Sequence, residues 1–269
     1  MGLSEWLAPL QQLAQQAAAE IMAVYRRGEV AVTDKADASP LTEADLRAHR
    51  VIAAGLQALT PGIPVLSEES ALQPWAERRQ WSRFWLVDPL DGTREFVSRS
   101  GEFTVNIALI EGGQPVLGVV QVPVTGALYY GGPTLGAWCR EQGVERRLHT
   151  RLPQAPVRLV ASRRSGLDAM AQLEQALARE FGAVERVAQS SSLKLCEVAQ
   201  GSADLYPRLG PTSEWDTAAG HAVLLGAGGC VLQPDFSPLM YHKQDILNPH
   251  FLALGSDPAR WAFLRPLLA

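Results

Sequence analysis

The stretch Phe84-Trp85-Leu86-Val87-Asp88-Pro89-Leu90-Asp91-Gly92-Thr93-Arg94-Glu95-Phe96 decides the fold. Its first four residues form an apolar, β-prone run that ends abruptly in two carboxylates, Asp88 and Asp91. Pro89 stiffens the turn between them, and Gly92 and Thr93 follow. A buried strand that delivers carboxylates to a tight turn at its carboxyl end is a recurrent way to build a site in an α/β layer. Two aspartates this close repel each other unless positive charge lies between them. Mg²⁺ meets that need, because it takes hard oxygen ligands and leaves room for water and phosphate.

The rest of the chain permits such a site. Its 269 residues can hold one large α/β domain, or two lobes that share a cleft. A composition of 47% hydrophobic and 19% charged residues suffices to bury a core. A net charge of −4 leaves no basic surface for a nucleic-acid polymer, so a polyanionic ligand needs local cations: metal ions and a few placed Lys or Arg. The three cysteines are dispersed and lack CxxC spacing, and the five histidines do not cluster. That pattern fits a reducing cytosol and argues against a disulfide framework or a zinc site. Glu5 interrupts the amino-terminal apolar residues, so no signal peptide is expected there, and no window is long enough to span a bilayer. The expected setting is the cytoplasm.

Helical spacing of Leu3, Leu7, Leu10, Ala14, Ala17, Ile21 and Val24 predicts an amphipathic first helix, with Pro9 marking a first turn or a kink. Thr42 reads as an N-cap, with Glu43 and Asp45 in the first turn of a helix to about Leu59. A short strand at Pro64–Leu66 ends in Ser67-Glu68-Glu69, repeating the theme of a strand that delivers carboxylates. Residues 102–132 read as antiparallel strands with a Gly112-Gly113 hairpin turn. Pro153–Pro156 marks the boundary between lobes of about 1–152 and 153–269 in a single domain. Beyond it come a strand at Val157–Ala161, helices at Leu167–Phe181 and Ser190–Gly201, a strand at Ala203–Tyr206, and a helix at Trp215–Leu225. Gly228–Leu232 leads to a last strand.

Four segments thus offer carboxylates at element ends: Asp45, Glu68 with Glu69, Asp88 with Asp91, and Asp216. Taken singly, each is more often a helix cap or a solvated turn residue than a ligand. A haloacid-dehalogenase reading of the central stretch needs Asp-x-Asp, and two residues separate the aspartates here. That spacing would aim the second carboxylate differently, so this reading fails.

Asp88–Thr93, together with Trp215-Asp216-Thr217-Ala218-Ala219-Gly220 and the upstream Ser67-Glu68-Glu69, strongly resembles the inositol monophosphatase superfamily of Mg²⁺-dependent, lithium-sensitive phosphatases. Thr93-Arg94-Glu95-Phe96, Leu205-Tyr206-Pro207-Arg208 and the late Leu247-Asn248-Pro249 look like its bacterial 3′(2′),5′-bisphosphate nucleotidase branch. The likeness runs from about Ala14 to Ala253.

The resemblance implies an α/β (α+β) fold, layered α/β/α/β/α, with two lobes around a metal-binding cleft. It implies that Glu68, Asp88, Asp91, Asp216 and the Leu90 carbonyl hold two or three Mg²⁺ ions, with Asp88 bridging two of them. Thr93 and Asp45 would orient the nucleophilic water, with Glu68 beside them and no covalent intermediate. Phosphate would lie against Glu68, Asp91, Asp216, the Gly92 and Thr93 amides and the start of the Trp215 helix. Arg94, Ser191, Lys194 and Arg208 would serve the rest of a phosphonucleotide. His221 is read as structural, and Glu69 as a neighbour of the ligands at most.

One departure is Ser165, where the branch commonly has His near the base; Arg164 could take over by stacking. The implied reaction is hydrolysis of adenosine 3′,5′-bisphosphate to AMP and phosphate in sulfur assimilation, with 3′-phosphoadenylyl sulfate as a second substrate. An inositol or sugar monophosphatase on the same metal site stays open, as does a non-catalytic phosphonucleotide sensor. No obligate protein partner is inferred. The resemblance also allows a position against the inner face of the cytoplasmic membrane.

Overall fold

The computed structural model describes residues 2–28, 32–34, 40–162 and 167–267. Helix α1 (Leu3–Tyr25) buries Leu10, Ala14, Ala17, Ile21 and Val24 of the expected stripe, while Leu3 and Leu7 are only partly buried and Trp6, outside the stripe, is buried. The helix continues unbroken past Pro9, which lies inside it and not in its first turn. Pro9 is exposed, so water can satisfy the carbonyl one turn earlier. Strands β1 (Val32–Asp34) and β2 (Pro40–Thr42) form a small antiparallel ribbon leading into helix α2 (Glu43–Leu59).

A seven-stranded sheet follows, built from β3 (Val65–Ser67), β4 (Arg83–Asp91), β5 (Thr104–Glu111), β6 (Gln114–Gln121), β7 (Leu128–Gly132), β8 (Gly136–Glu141) and β9 (Val144–Arg147) in sequential order. Short helices α3 (Trp75–Arg78) and α4 (Thr93–Val97) flank β4. Only β3 and β4 run parallel; the rest is an antiparallel meander. Then come β10 (Val157–Ala161), α5 (Leu167–Phe181), β11 (Val184–Ala188), α6 (Leu193–Ala199), β12 (Leu205–Arg208), α7 (Glu214–Gly226), β13 (Cys230–Leu232), β14 (Phe251–Leu254) and a 3₁₀ tail (Pro258–Leu267). Their strands make a five-stranded sheet in the order β11-β10-β12-β14-β13.

Three apolar clusters stack these parts into five layers. Helices α1 and α2 cover the face of the larger sheet that carries Trp85, Val87, Ile107 and Val119. Its other face, with Phe84, Leu86 and Ile110, packs on α6 and α7, which also cover Tyr206, Val231 and Phe251 of the smaller sheet. Helix α5 and the tail close the outside through Met170, Leu173, Leu177 and Trp261. This is the α/β/α/β/α order expected from the motifs. Gly118 lets α7 come so close to the larger sheet: a Cβ there would stand 2.2 Å from the Ala219 carbonyl oxygen.

Two elements differ from the sequence reading by two residues or more. Helix α6 starts at Leu193, not Ser190, because Ser191 takes φ +50°; the Ser192 amide, at the helix cap, is left free to donate to the Asp91 carboxylate. Strand β12 covers Leu205–Arg208, two residues later than expected. Asp204 stays in the turn, where it accepts a bidentate pair from Arg151.

Candidate metal and phosphate site

The central stretch becomes β4 and the loop after it. In a regular strand, residues three apart point to opposite faces. Here β4 carries one extra residue: Asp88 pairs with Asn106 and Asp91 with Thr104, with a register shift between them. This bulge reverses the alternation. Leu90 therefore joins Trp85 and Val87 under α1 and α2. Asp88 and Asp91 both turn to the opposite face, toward α6 and α7. Gly92 ends the bulge at φ +93°, where a Cβ would press on the Glu102 carbonyl at 3.1 Å.

Glu68 follows the neighbouring parallel strand β3, its amide bonded to the Val87 carbonyl at 3.1 Å. Asp216 comes from the first turn of α7. One carboxylate oxygen each of Glu68, Asp88 and Asp216 lies within 4.8 Å of the others. Asp91 stands beside this group, held through Oδ2 by the Ser192 amide at 2.6 Å. Burial pushes the Asp88 carboxyl well above the usual range, and the charges of Glu68, Asp91 and Asp216 push it further. Burial, then Asp91 and Glu68, raise Asp216 to about 8. Asp91 rises only to about 6, because Lys194 and the Ser192 amide offset its burial. Carboxylates that hold their charge at such cost suit a hard divalent cation that would neutralise them, so the donor set fits a metal.

Asp45 sits on the other side of the bulge. It is the third residue of α2 and accepts from the Thr42 amide at 2.8 Å and the Thr42 hydroxyl at 2.6 Å. Its second oxygen accepts from the Thr93 hydroxyl at 3.2 Å. The same hydroxyl lies 3.3 Å from the Leu90 carbonyl oxygen. Asp45 is thus both helix cap and Thr93 partner, and the two roles that competed in the sequence coexist.

A cleft of about 350 Å³ opens beside the carboxylates. Asp91, Gly92, Arg94, Ser191, Lys194, Arg208 and Asp216, all singled out from the sequence, line it. Lys194 is buried: its ammonium donates to the Ser191 carbonyl at 2.7 Å and lies 5.3 Å from the centre of the Tyr206 ring. Burial pushes it down to about 8, against the pull of Asp91. Arg208 donates to the carbonyls of Gly210 at 3.1 Å and Pro211 at 2.6 Å, so it braces the loop before α7. Arg164 and Ser165 lie outside the described residues. Glu69 follows Glu68 in the turn, and His221 is buried in α7, bonded to Tyr241 and pushed down to about 3 by burial.

Sequence reasoning missed the polar pair under Asp91. Thr104 and Asn106 point to its face of β5, both buried, and meet the Ser192 hydroxyl at 2.8 Å each. Their mark was visible: two polar residues at alternate positions of an otherwise apolar strand.

Fold and site together define a class: a five-layered α/β protein whose metal-ready carboxylates converge from strand and helix ends beside a cationic cleft wall. A model of the inositol monophosphatase family matches residues 2–260, and the chain belongs to that metal-dependent family. The 3′(2′),5′-bisphosphate nucleotidase CysQ of Escherichia coli strain K12 is 49% identical over 242 residues, 89% of this chain and 96% of the relative. That of Haemophilus influenzae is 34% identical over 252 residues, 93% and 92% of the two chains. Among solved structures, CysQ from Bacteroides thetaiotaomicron, a bacterial member of the same family, superposes with a TM-score of 0.82. It is 40% identical, covering 94% of this chain and 98% of that one. The family and branch read from the motifs are borne out. Among the described residues, no helix is long and apolar enough to cross a membrane.

Proposed function

We propose that this chain is a metal-dependent phosphatase that hydrolyses adenosine 3′,5′-bisphosphate to AMP and phosphate in the cytoplasm, supporting sulfur assimilation. The observation that carries this reading is a single cleft lined both by Asp91 and Asp216 of the carboxylate group and by Arg94, buried Lys194 and Arg208. A monophosphate needs only the carboxylates with their metal; a second phosphate gives the cations a purpose. The 49%-identical nucleotidase relative supports the same substrate. 3′-Phosphoadenylyl sulfate carries the same 3′-phosphate and is a second substrate of this reading.

Glu68, Asp88, Asp91, Asp216 and the Leu90 carbonyl would hold two or three Mg²⁺ ions. Bound there, the ions supply an acidified water and neutralise charge on the phosphate and leaving oxygen. Thr93, donating to Asp45, keeps its oxygen lone pairs for the attacking water and passes the proton toward the Asp45 carboxylate. The Gly92 and Thr93 amides and the α7 amino terminus face the transferred phosphate. Arg94, Ser191, Lys194 and Arg208 hold the remaining phosphate and the nucleoside. The chain acts as one domain, with lobes of about 1–152 and 153–269 meeting at the cleft.

Phosphate release from adenosine 3′,5′-bisphosphate and from inositol 1-phosphate, each with Mg²⁺ and with EDTA, tests the reading. Strong metal-dependent preference for the bisphosphate is expected, and preference for inositol phosphate would overturn the substrate. Lys194→Ala should raise KM for the bisphosphate roughly 10- to 100-fold, the worth of a charged hydrogen bond, and spare inositol 1-phosphate. Equal effects on both substrates would remove Lys194 from the nucleotide half.

A further inference from the structure

Helix α7 does not hold its first turn by itself. The segment 246–248 runs antiparallel to 212–214, with Ser213 bridged to Leu247. The Asn248 amide donates to the Thr212 carbonyl at 2.8 Å, and the Glu214 amide to the Ile246 carbonyl at 2.9 Å. The peptide plane between Thr212 and Ser213 is thus gripped at both ends. Asn248 holds its carbonyl, and its N–H, on Ser213, donates to Asp216 Oδ2 at 3.0 Å.

The Asn248 side chain grips the next plane. Its Nδ2 donates to the Ser213 carbonyl at 2.8 Å and the Thr217 hydroxyl at 3.1 Å, with the Thr212 hydroxyl at 3.3 Å. Its Oδ1 accepts from Lys243 at 3.3 Å. A carbonyl can only accept and an ammonium only donate, so the amide has one possible orientation. Ser213 and Thr217 bracket Asp216 in the turn. Lys243 in turn binds Glu214 Oε1 at 2.6 Å, and the amides of His242 and Lys243 donate to the same buried carboxylate at 3.0 Å each.

From this geometry we infer that Asn248 is the positioning residue for Asp216 and, through it, sets the affinity of the cleft for divalent cations. The inference rests on the metal-site reading above. Asp216 must meet Glu68 and Asp88, which come from strands of the larger sheet, to within an ion's reach. A turn free to fray by an ångström would forfeit that. Groups that orient a metal ligand commonly change metal affinity about 10- to 100-fold when removed.

The test is Mn²⁺ binding to the full chain, by electron paramagnetic resonance well below the melting temperature, with fold checked by circular dichroism. Asn248→Ala and the near-isosteric Asn248→Asp are compared with wild type and Asp216→Asn. Arg151→Gln, which breaks the half-buried Arg151–Asp204 pair outside the first turn of α7, is the control for general destabilisation. Both Asn248 variants should bind Mn²⁺ at least about tenfold more weakly, because Asp keeps the volume but loses every side-chain donor. Arg151→Gln should melt earlier yet bind Mn²⁺ as wild type does. Folded Asn248 variants that bind Mn²⁺ like wild type would overturn the inference alone. A wild type that binds no Mn²⁺, or an Asp216→Asn that binds it equally well, would overturn the metal reading beneath it.

Discussion

Helices α2 and α7 begin with the same four-residue device, Thr42-Glu43-Ala44-Asp45 and Ser213-Glu214-Trp215-Asp216. In each, the aspartate turns back to accept the amide of the hydroxyl residue, at 2.8 Å in α2 and 3.0 Å in α7. What faces the second half of each device differs. Asp45 meets hydroxyls, those of Thr42 and Thr93. Asp216 meets carboxylates, and burial with their charge raises it to about 8. Glu43 lies exposed and pairs with Arg27 and Arg47, whereas Glu214 is fully buried against Lys243 and two amides. One local motif therefore supplies placement twice, and tertiary neighbours decide between the proposed proton acceptor and the proposed metal ligand.

The two aspartates should part most widely in turnover. Asp216→Asn removes a ligand of the proposed metal, several kcal/mol of transition-state stabilisation, so kcat should fall on the order of 10³-fold with loss of Mg²⁺ activation. Asp45→Asn should lower kcat about 10²-fold while Mn²⁺ binding persists, because only the proton acceptor goes. Steady-state kinetics beside metal titration reads both. Equal losses of metal binding would erase the distinction.

The pH dependence of metal-free stability sharpens it. Asp216 titrates near 8 when folded, against the ordinary 3.8. Across that window the native chain keeps a proton that the unfolded chain has released, so stability falls as pH rises and this contribution is gone above about 8. Asp88 is displaced the same way and adds to the slope. Melting in EDTA should therefore drop between about pH 5 and 8, roughly 2–4 °C for each kcal/mol lost. Mg²⁺ should restore more at the higher pH. Asp216→Asn should flatten the slope; Asp45→Asn should not. A melting temperature that rises with pH in EDTA would contradict the electrostatics of the cluster.

The smallest contrast lies in the glutamates. Glu214→Gln removes the charge of a buried carboxylate whose partner Lys243 is partly exposed, and should cost about 1–3 kcal/mol. Glu43→Gln, in solvent, should leave melting within about a degree of wild type. Thermal melts of the two variants decide it.

Much of this was legible in the sequence, because the informative features are local. An apolar run ending in Asp88-Pro89-Leu90-Asp91 announces a strand that delivers carboxylates, and the apolar Leu90 fits its place beneath α1 and α2. Hidden were features that depend on distant pairing. The bulge that aligns Asp88 with Asp91 exists only against β5. The Ser192 amide at the start of α6 is taken by Asp91, about a hundred residues earlier. The grip of Asn248 on α7 joins segments whose spacing along the chain carries no periodicity. The dual role of Asp45 was hidden for another reason: capping and binding Thr93 use different oxygens of one carboxylate, so the two readings never excluded each other.

The most direct measurement is anomalous diffraction at the manganese edge from crystals grown with Mn²⁺ and adenosine 3′,5′-bisphosphate. The account predicts anomalous peaks among Glu68, Asp88, Asp91 and Asp216, with one phosphate against them and the other near Lys194 and Arg208. Manganese absent from that cluster, or a ligand bound with Lys194 and Arg208 untouched, would contradict it.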